Sequence, residues 1–514
     1  MDNVTSLQVP LNRVEGDLEV RIEIEDGVVR DAWCAGTMYR GFERIMVGRG
    51  ALDGLVITPR VCGICTTGHL TAAARALDMV AGVDVPPAAT RVRNLALMTE
   101  HLQSDVRHYA LLFAADFTNP AHAGHPLYEE ALARYQPLKG ATVAQVLGES
   151  ARVLEIVAIL GGQWPHSSYM VPGGIATIFS QADLLQCSLA LRRYRQWYER
   201  RVLGCSLERW AEVDSPQALE TWLEAEAHRQ GDLGFFLRFA GQAGLDRLGS
   251  WPGGFLSYGA LDLPADSTAA GASDQQKIIA AGFLSPGEKT REFDQARVRE
   301  EVACSWFRDY AGGRHPFFGE TQPYAVGSEG RKYSWAKAPR YDDQPAETGP
   351  LAEMLIGGHK LLTGLVAEKG VSVFTRELAR LIRPAMLLPV MELWLSEMAE
   401  DQLLYRSPGE IGNGEGFGLT HASRGALGHW LRLEDGLIAS YQIITPTAWN
   451  ASPRDDQGRR GPLEQALIGT PAPDQDNLVQ VGHVVRSFDP CLVCTVHAWR
   501  AGDRASSVHG RVAI

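Results

Sequence analysis

No run of about 18 apolar residues, the minimum for a membrane-spanning helix, occurs in this sequence. The nearest approach, 378–395, is interrupted by Arg380, Arg383, Pro384, Pro389 and Glu392, so any membrane link has to come through a partner. Basic charge is short too: 49 Lys and Arg face 61 Asp and Glu, a net charge of -12. That excess of acid excludes the usual electrostatic route to nucleic acid. Residues 1–10 lack the basic start and apolar run of an export signal, which implies a cytoplasmic location. There is no internal repeat of fixed period and no low-complexity tract. Cysteine is sparse: Cys34, Cys62, Cys65, Cys187, Cys205, Cys304, Cys491 and Cys494 in 514 residues. In a long chain without an export signal these read as reduced thiols or metal ligands rather than a disulfide framework. Cys34, Cys187, Cys205 and Cys304 stand alone and read as small buried hydrophobes.

What is present is mostly helix, with small β elements near both ends. Residues 18–25 alternate apolar and charged side chains before Asp26-Gly27 and Val28-Val29, a hairpin signal. A second hairpin is expected over 430–445 around Glu434-Asp435-Gly436. Helical spacing of apolar residues predicts helices at 66–81, 88–115, 142–160, 181–203, 351–368 and 373–400. The stretch 253–349 is rich in Gly, Pro, Asp and Ala and weak in periodicity. It reads as surface loops and short elements, an insertion in one elaborated domain spanning 1–497. The fold class is α+β and α-rich.

Two Cys-x-x-Cys pairs carry the chemistry. Arg60-Val61-Cys62-Gly63-Ile64-Cys65 is followed by His69, and Asp489-Pro490-Cys491-Leu492-Val493-Cys494 by His497. Such a turn lets two thiolates converge on one metal, and Gly63 permits close backbone approach. Four thiolates make a soft site that suits zinc, iron–sulfur or nickel. A thioredoxin-like dithiol prefers a βαβ context that neither pair has, and a zinc ribbon places its pairs about 15–20 residues apart. A zinc stapling the two ends together stays open on spacing alone.

The flanking residues go further. RVCGICTTGH and FDPCLVCTVH resemble the N- and C-terminal signatures of nickel–iron hydrogenase large subunits. NRVEGDL (12–18), YRGFE (39–43), GGQWPH with PGG (161–174), RGALGHW (424–430) and PTAWNASPRD (446–455) match the same family in order. The resemblance implies that family's large-subunit fold, with long central helices. It implies heterolytic oxidation of H2 at a nickel held by Cys62, Cys65, Cys491 and Cys494. Cys65 and Cys494 would bridge to an iron bearing cyanide and carbon monoxide, and Cys62 and Cys491 would be terminal on nickel. Glu15 would relay the proton from the terminal Cys491. Arg424 would lie over the iron, with Pro446, Thr447 and Asp489 lining the pocket of its diatomic ligands. His69 would hydrogen-bond a bridging sulfur. Glu43, the carbonyl of Ile443 and His497 would hold magnesium. The family often carries an Asp-His pair on the long helix after the first motif. Here the run is His101-Leu102-Gln103-Ser104-Asp105, which leaves the role of Ser104 or Asp105 open.

NRVEGDLEV, MYRGFE and VRSFDPCLVCTVH are most similar to the group of cytoplasmic uptake and hydrogen-sensing hydrogenases. The sensors often have Gln in place of His69 and end at the last motif's histidine. This chain keeps His69 and continues through 498–514, a tail similar to the peptide removed by a nickel-dependent maturation endopeptidase. Both features favour the uptake type, with cleavage after His497. The alternatives are the sensor, the complex I relative (which lacks these cysteines) and a structural zinc protein. No further cysteine array is present for iron–sulfur clusters, so an iron–sulfur small subunit is the implied electron partner.

Overall fold

A computed structural model describes residues 5–268, 276–326, 330–399 and 402–491. Cys494, His497 and the tail 498–514 lie outside the described residues. The expected hairpins both form. Strands β1 (Leu18–Glu25) and β2 (Val28–Gly36) turn at Asp26 and Gly27, both at positive φ, the geometry of a two-residue type I′ turn. Thr5–Pro10 adds an antiparallel third strand on the far side of β1. The stretch 253–349 departs from the surface loops expected of it. Strand β3 (Gly254–Asp262) is buried along nearly its whole length, pairs with β4 (Lys277–Leu284) and takes Ala346–Glu347 as a parallel edge. A strand covered on both faces has no period-two alternation for a sequence reading to find. At the C-terminal end, β5 (Gly414–Ala422), β6 (Gly425–Glu434) and β7 (Leu437–Ile444) form a second antiparallel sheet. Its β6–β7 turn repeats the Asp-Gly solution at Asp435 and Gly436.

Helix α1 (Thr66–Ala81) lies across β5. The approach is so close that a Cβ on Gly418 would stand 1.8 Å from the Ala72 carbonyl oxygen, and one on Gly416 2.2 Å from that of Ala76. Glycine at 416 and 418 is therefore what lets helix backbone rest on strand backbone. Helix α2 (Pro87–Arg107) is shorter than the expected 88–115. Its last residues unwind into a wide π-type turn, His108–Phe113, and a tight turn, Ala114–Thr118. Such irregularities often mark functional sites, and this one aims His108 and Asp116 inward. The expected helix 142–160 is Ala141–Val153 and Glu155–Gly161, interrupted at Leu154. The helix expected at 351–368 is split into Pro350–Ile356 and Lys360–Lys369 by Gly357 and Gly358. Helix α3 (Val373–Ser396) carries Pro384 and Pro389 without ending. It packs on α2. The described residues contain no helix long and apolar enough to cross a membrane.

Asp105 is not aimed at the cysteines. It receives Arg383 of α3 in a two-point pair at 2.6 and 2.9 Å, and Arg383 also bonds Glu353 at 3.1 Å and the carbonyl of Ser423 at 2.7 Å. Asp105 thus fixes the turn that carries Arg424. Ser104 is buried beside it on α2. Of the lone cysteines, Cys34, Cys187 and Cys304 are buried and Cys205 is half-buried, accepting the Trp222 indole N–H at 3.4 Å.

Candidate metal centre

The two motifs, more than 400 residues apart, meet in the interior. Cys62, Cys65 and Cys491 bring their Sγ atoms within 4.8 Å of one another, and all three are buried and unbridged. The Cys62 and Cys491 sulfurs are 3.5 Å apart. Cys65 stands at the head of α1 and supplies no oxygen to cap it. The orphan N–H groups of the first turn, Thr67 and Gly68, donate instead to Glu100 of α2 at 2.8 and 3.2 Å. His166 donates from Nδ1 to the Pro59 carbonyl at 3.0 Å, and its backbone N–H donates to the Thr66 hydroxyl. These contacts hold the first Cys-x-x-Cys loop from both sides.

Cys491 is delivered by α4 (Pro446–Asn450) and α5 (Val479–Ser487). Its N–H donates to the Thr447 hydroxyl at 2.8 Å. Pro446 is the first residue of α4 and is buried with Thr447. Glu15 pairs as a one-residue parallel bridge with Cys491, its N–H donating to the Pro490 carbonyl at 3.2 Å. Burial raises the Glu15 carboxyl above the usual range; Cys62 adds to this and Arg424 opposes it.

Arg424 donates from Nε to the Asp489 carbonyl at 2.9 Å and from Nη2 toward the Asp489 carboxylate at 3.1 Å. Burial disfavours its charge, but Asp489 and the thiols of Cys491, Cys62 and Cys65 keep it protonated. Asp489 in turn faces His108 at 3.0 Å. Burial alone would push the Asp489 carboxyl up; Arg424 and His108 hold it well below the usual carboxylate range. The Nη1 of Arg424 is buried and has no partner among the described residues.

His69 is fully buried, and burial holds its imidazole down at about 4, hence neutral. Its Nδ1 lies 3.0 Å from His429 Nε2, and His429 Nδ1 lies 2.9 Å from the Tyr441 hydroxyl. With Tyr441 donating, each imidazole passes one N–H along, and His69 presents Nε2–H. That nitrogen has no partner among the described residues. His108, His429, Tyr441 and Glu100 were not picked out from sequence. Glu100 lies in a helix and His429 and Tyr441 in strands, and the apolar spacing around His108 reads as continuous helix, so nothing in the sequence distinguishes any of them from a core residue.

Glu43 is buried at a second cluster. One oxygen accepts the Ile443 N–H at 3.0 Å, and the other faces Lys337 Nζ at 3.2 Å and accepts the Thr321 hydroxyl. Lys337 also lies 3.5 Å from Glu300, whose Oε2 is buried with no hydrogen-bond partner among the described residues. Two acidic groups thus face one ammonium, and burial raises the Glu300 carboxyl to about 7. Lys337 and Glu300 come from the stretch read as surface loop.

The donor set fits a thiolate-held metal with a worked surround. A structural zinc is closed by its own ligands. Here a spare guanidinium donor, a spare imidazole donor and a carboxyl with raised proton affinity converge on the same thiols.

A family model described as nickel-dependent hydrogenase matches residues 40–139 and 240–497. The periplasmic [NiFeSe] hydrogenase large subunit of Desulfomicrobium baculatum is 33% identical over 96% of this chain and 94% of its own length. The uptake hydrogenase large subunit of Rhodobacter capsulatus is 27% identical over 96% and 95%. Among solved structures, the oxidized Ni-Fe-Se hydrogenase of D. vulgaris Hildenborough superposes with a TM-score of 0.82 at 30% identity, covering 96% of this chain and 100% of that one. In this chain all four motif positions are cysteine.

Proposed function

Since the chain belongs to the nickel-dependent hydrogenase family, we propose that Cys62, Cys65, Cys491 and Cys494 hold its nickel–iron centre. By the family resemblance, Cys62 and Cys491 would be the terminal thiolates and Cys65 and Cys494 the shared ones. The observation that carries this reading is the convergence of three buried thiols from the two ends of the chain within 4.8 Å. When bound, that centre would supply the hydride acceptor that heterolysis of H2 requires. The reaction is H2 to two protons and two electrons. Cys491 takes the first proton on its sulfur, and Glu15, aligned on Cys491 by its backbone, carries it away. Burial raises the proton affinity of Glu15 toward that of a working relay. Arg424, held by Asp489, turns its spare N–H into the pocket and excludes water. Pro446 and Thr447 line the space for the iron's cyanide and carbon monoxide. The Thr447 oxygen already accepts the Cys491 N–H, which leaves its own hydrogen to donate there. His69, with His429 and Tyr441 fixing its tautomer, would offer its Nε2–H to one of the metal-held sulfurs. Glu43 and the carbonyl of Ile443 would contribute to a magnesium site, with His497 as the further ligand that the resemblance implies.

The physiological direction we favour is H2 uptake rather than sensing. His69 and the tail support it, and uptake hydrogenases are among the relatives. Purified enzyme should reduce an artificial dye with H2 as sole donor; a sensor would turn over only feebly. Cys491 is buried, and the tail 498–514 would be removed by a maturation endopeptidase between His497 and Ala498. Intact mass of active enzyme should lack those residues, and an active chain that keeps Ile514 contradicts this.

The relatives are large subunits or large chains, and the electrons need a relay that this chain does not carry, so an iron–sulfur small subunit is its partner. We place that partner where Leu52, Ile178, Leu403 and Tyr405 stand exposed around an open cavity of 1290 Å³. Ile178 is 90% and Leu403 59% exposed, an apolar surface that marks an interaction site. Asp53–Ile57, beside it, runs directly into the Cys62 loop. Leu403→Glu should weaken co-purification of the small subunit without unfolding the chain; undiminished association would place the interface elsewhere.

A further inference from the structure

Asp116 has no part in the site described so far, yet it touches the segments that carry two of its groups. It is buried in the tight turn Ala114–Thr118 at the end of the long helical run. One carboxylate oxygen accepts Arg486 Nη1 at 2.7 Å, and the other accepts Arg13 Nη2. Arg13 is two residues before Glu15, and Arg486 is five before Cys491. Each arginine has a second anchor. Arg13 Nη1 donates to the Leu112 carbonyl at 2.9 Å. Arg486 Nη2 donates to the Asn12 carbonyl at 3.1 Å and to its side-chain oxygen at 2.7 Å. The runs 12–15 and 486–491 therefore lie side by side. They are laced at one end by Arg486 and Asn12 and at the other by Glu15 and Pro490.

We propose that Asp116 is a positioning residue for proton transfer, tying both arginines to one anionic point so that the Glu15 carboxyl stays in register with the Cys491 sulfur. This rests on Glu15 being the relay named above. The physical case is charge. Arg486 is fully buried, Arg13 is 23% exposed, and His483 Nδ1 lies 3.9 Å from the same carboxylate. Without an anion between them, two guanidinium groups in a low-dielectric interior repel. An amide in place of the carboxylate would also turn its own N–H against one of them. The runs would part at their laced end, and the shift would reach Glu15 two residues on and Cys491 five residues on. Displacement of reacting groups by about 1 Å costs about 10²-fold in rate.

The test separates cleavage of H2 from departure of its proton. Interconversion of para- and ortho-H2 requires reversible cleavage only, whereas exchange of D2 with solvent requires the proton to leave through Glu15. Asp116→Asn and the gentler Arg13→Gln are made in the complete enzyme with its partner, with nickel content measured alongside. We expect both variants to keep nickel and para–ortho interconversion, while solvent exchange and dye reduction fall by about 10²-fold in Asp116→Asn and less in Arg13→Gln. If both exchange at the wild-type rate, or if interconversion falls in step with exchange at full nickel content, the proposal is overturned. Should Asp116→Asn fail to accumulate, Arg13→Gln decides alone. Glu15→Gln is the control. If it leaves exchange intact, the relay reading itself fails; if it blocks exchange while the other two do not, only the positioning role falls.

Discussion

Cys491→Ser is expected to leave the purified enzyme without nickel and to reduce H2 oxidation to background, with the chain still folded. A serine hydroxyl is neither a thiolate nor readily ionised, and a hard oxygen competes poorly for a soft, thiolate-held metal. The backbone at 491 is secured independently of the sulfur, through its N–H on Thr447 and its bridge to Glu15. Loss of metal therefore need not bring loss of fold. Metal analysis and circular dichroism on the same sample read the two separately. Retained nickel with retained activity would remove Cys491 from the ligand set. Cys494→Ser should behave alike.

Arg424→Lys is expected to do something different: nickel stays, and H2 oxidation falls by about 10²–10³-fold, the usual cost of removing one preorganised donor. Asp489 engages both the Nε and an Nη of Arg424, and that two-point hold leaves the buried Nη1 without a hydrogen-bond partner among the described residues. A lysine has one flexible ammonium and cannot be oriented in this way. It would collapse onto the Asp489 carboxylate and leave the pocket without its donor. Dye-linked uptake at saturating H2, normalised to nickel, measures the effect. A change of less than a few fold would mean that Arg424 serves only to neutralise Asp489.

The contrast between these variants shows which parts of the site a sequence can carry. Cys62, Cys65 and Cys491 announce themselves by spacing. Arg424, Asp489 and Glu15 become legible only through the motifs around them, and the structure brings all six together. The supporting groups escape because their partners are remote in the chain. Glu100 caps a helix 33 residues before it, and Lys337 meets Glu43 across 294 residues. His429 and Tyr441 look like ordinary members of two strands. The fold divides in the same way. The Asp-Gly turns at 26–27 and 435–436 and the helix Thr66–Ala81 follow from local chemistry. The buried strand Gly254–Asp262 does not, because sheet neighbours and helix Pro350–Ile356 cover it and erase the alternation that would mark it. Asp105 is a further case. The sequence leaves its role open, and a two-point pair with Arg383 assigns it to the support of the Arg424 turn.

The central claim, that the two distant Cys-x-x-Cys pairs together hold a nickel–iron centre, is tested most directly by the metal stoichiometry of the purified enzyme with its partner subunit. One nickel per large subunit is expected, together with one iron beyond those of the partner's clusters, and the loss of both in Cys491→Ser. Zinc at one equivalent, with nickel absent from an otherwise folded and fully processed chain, would contradict it.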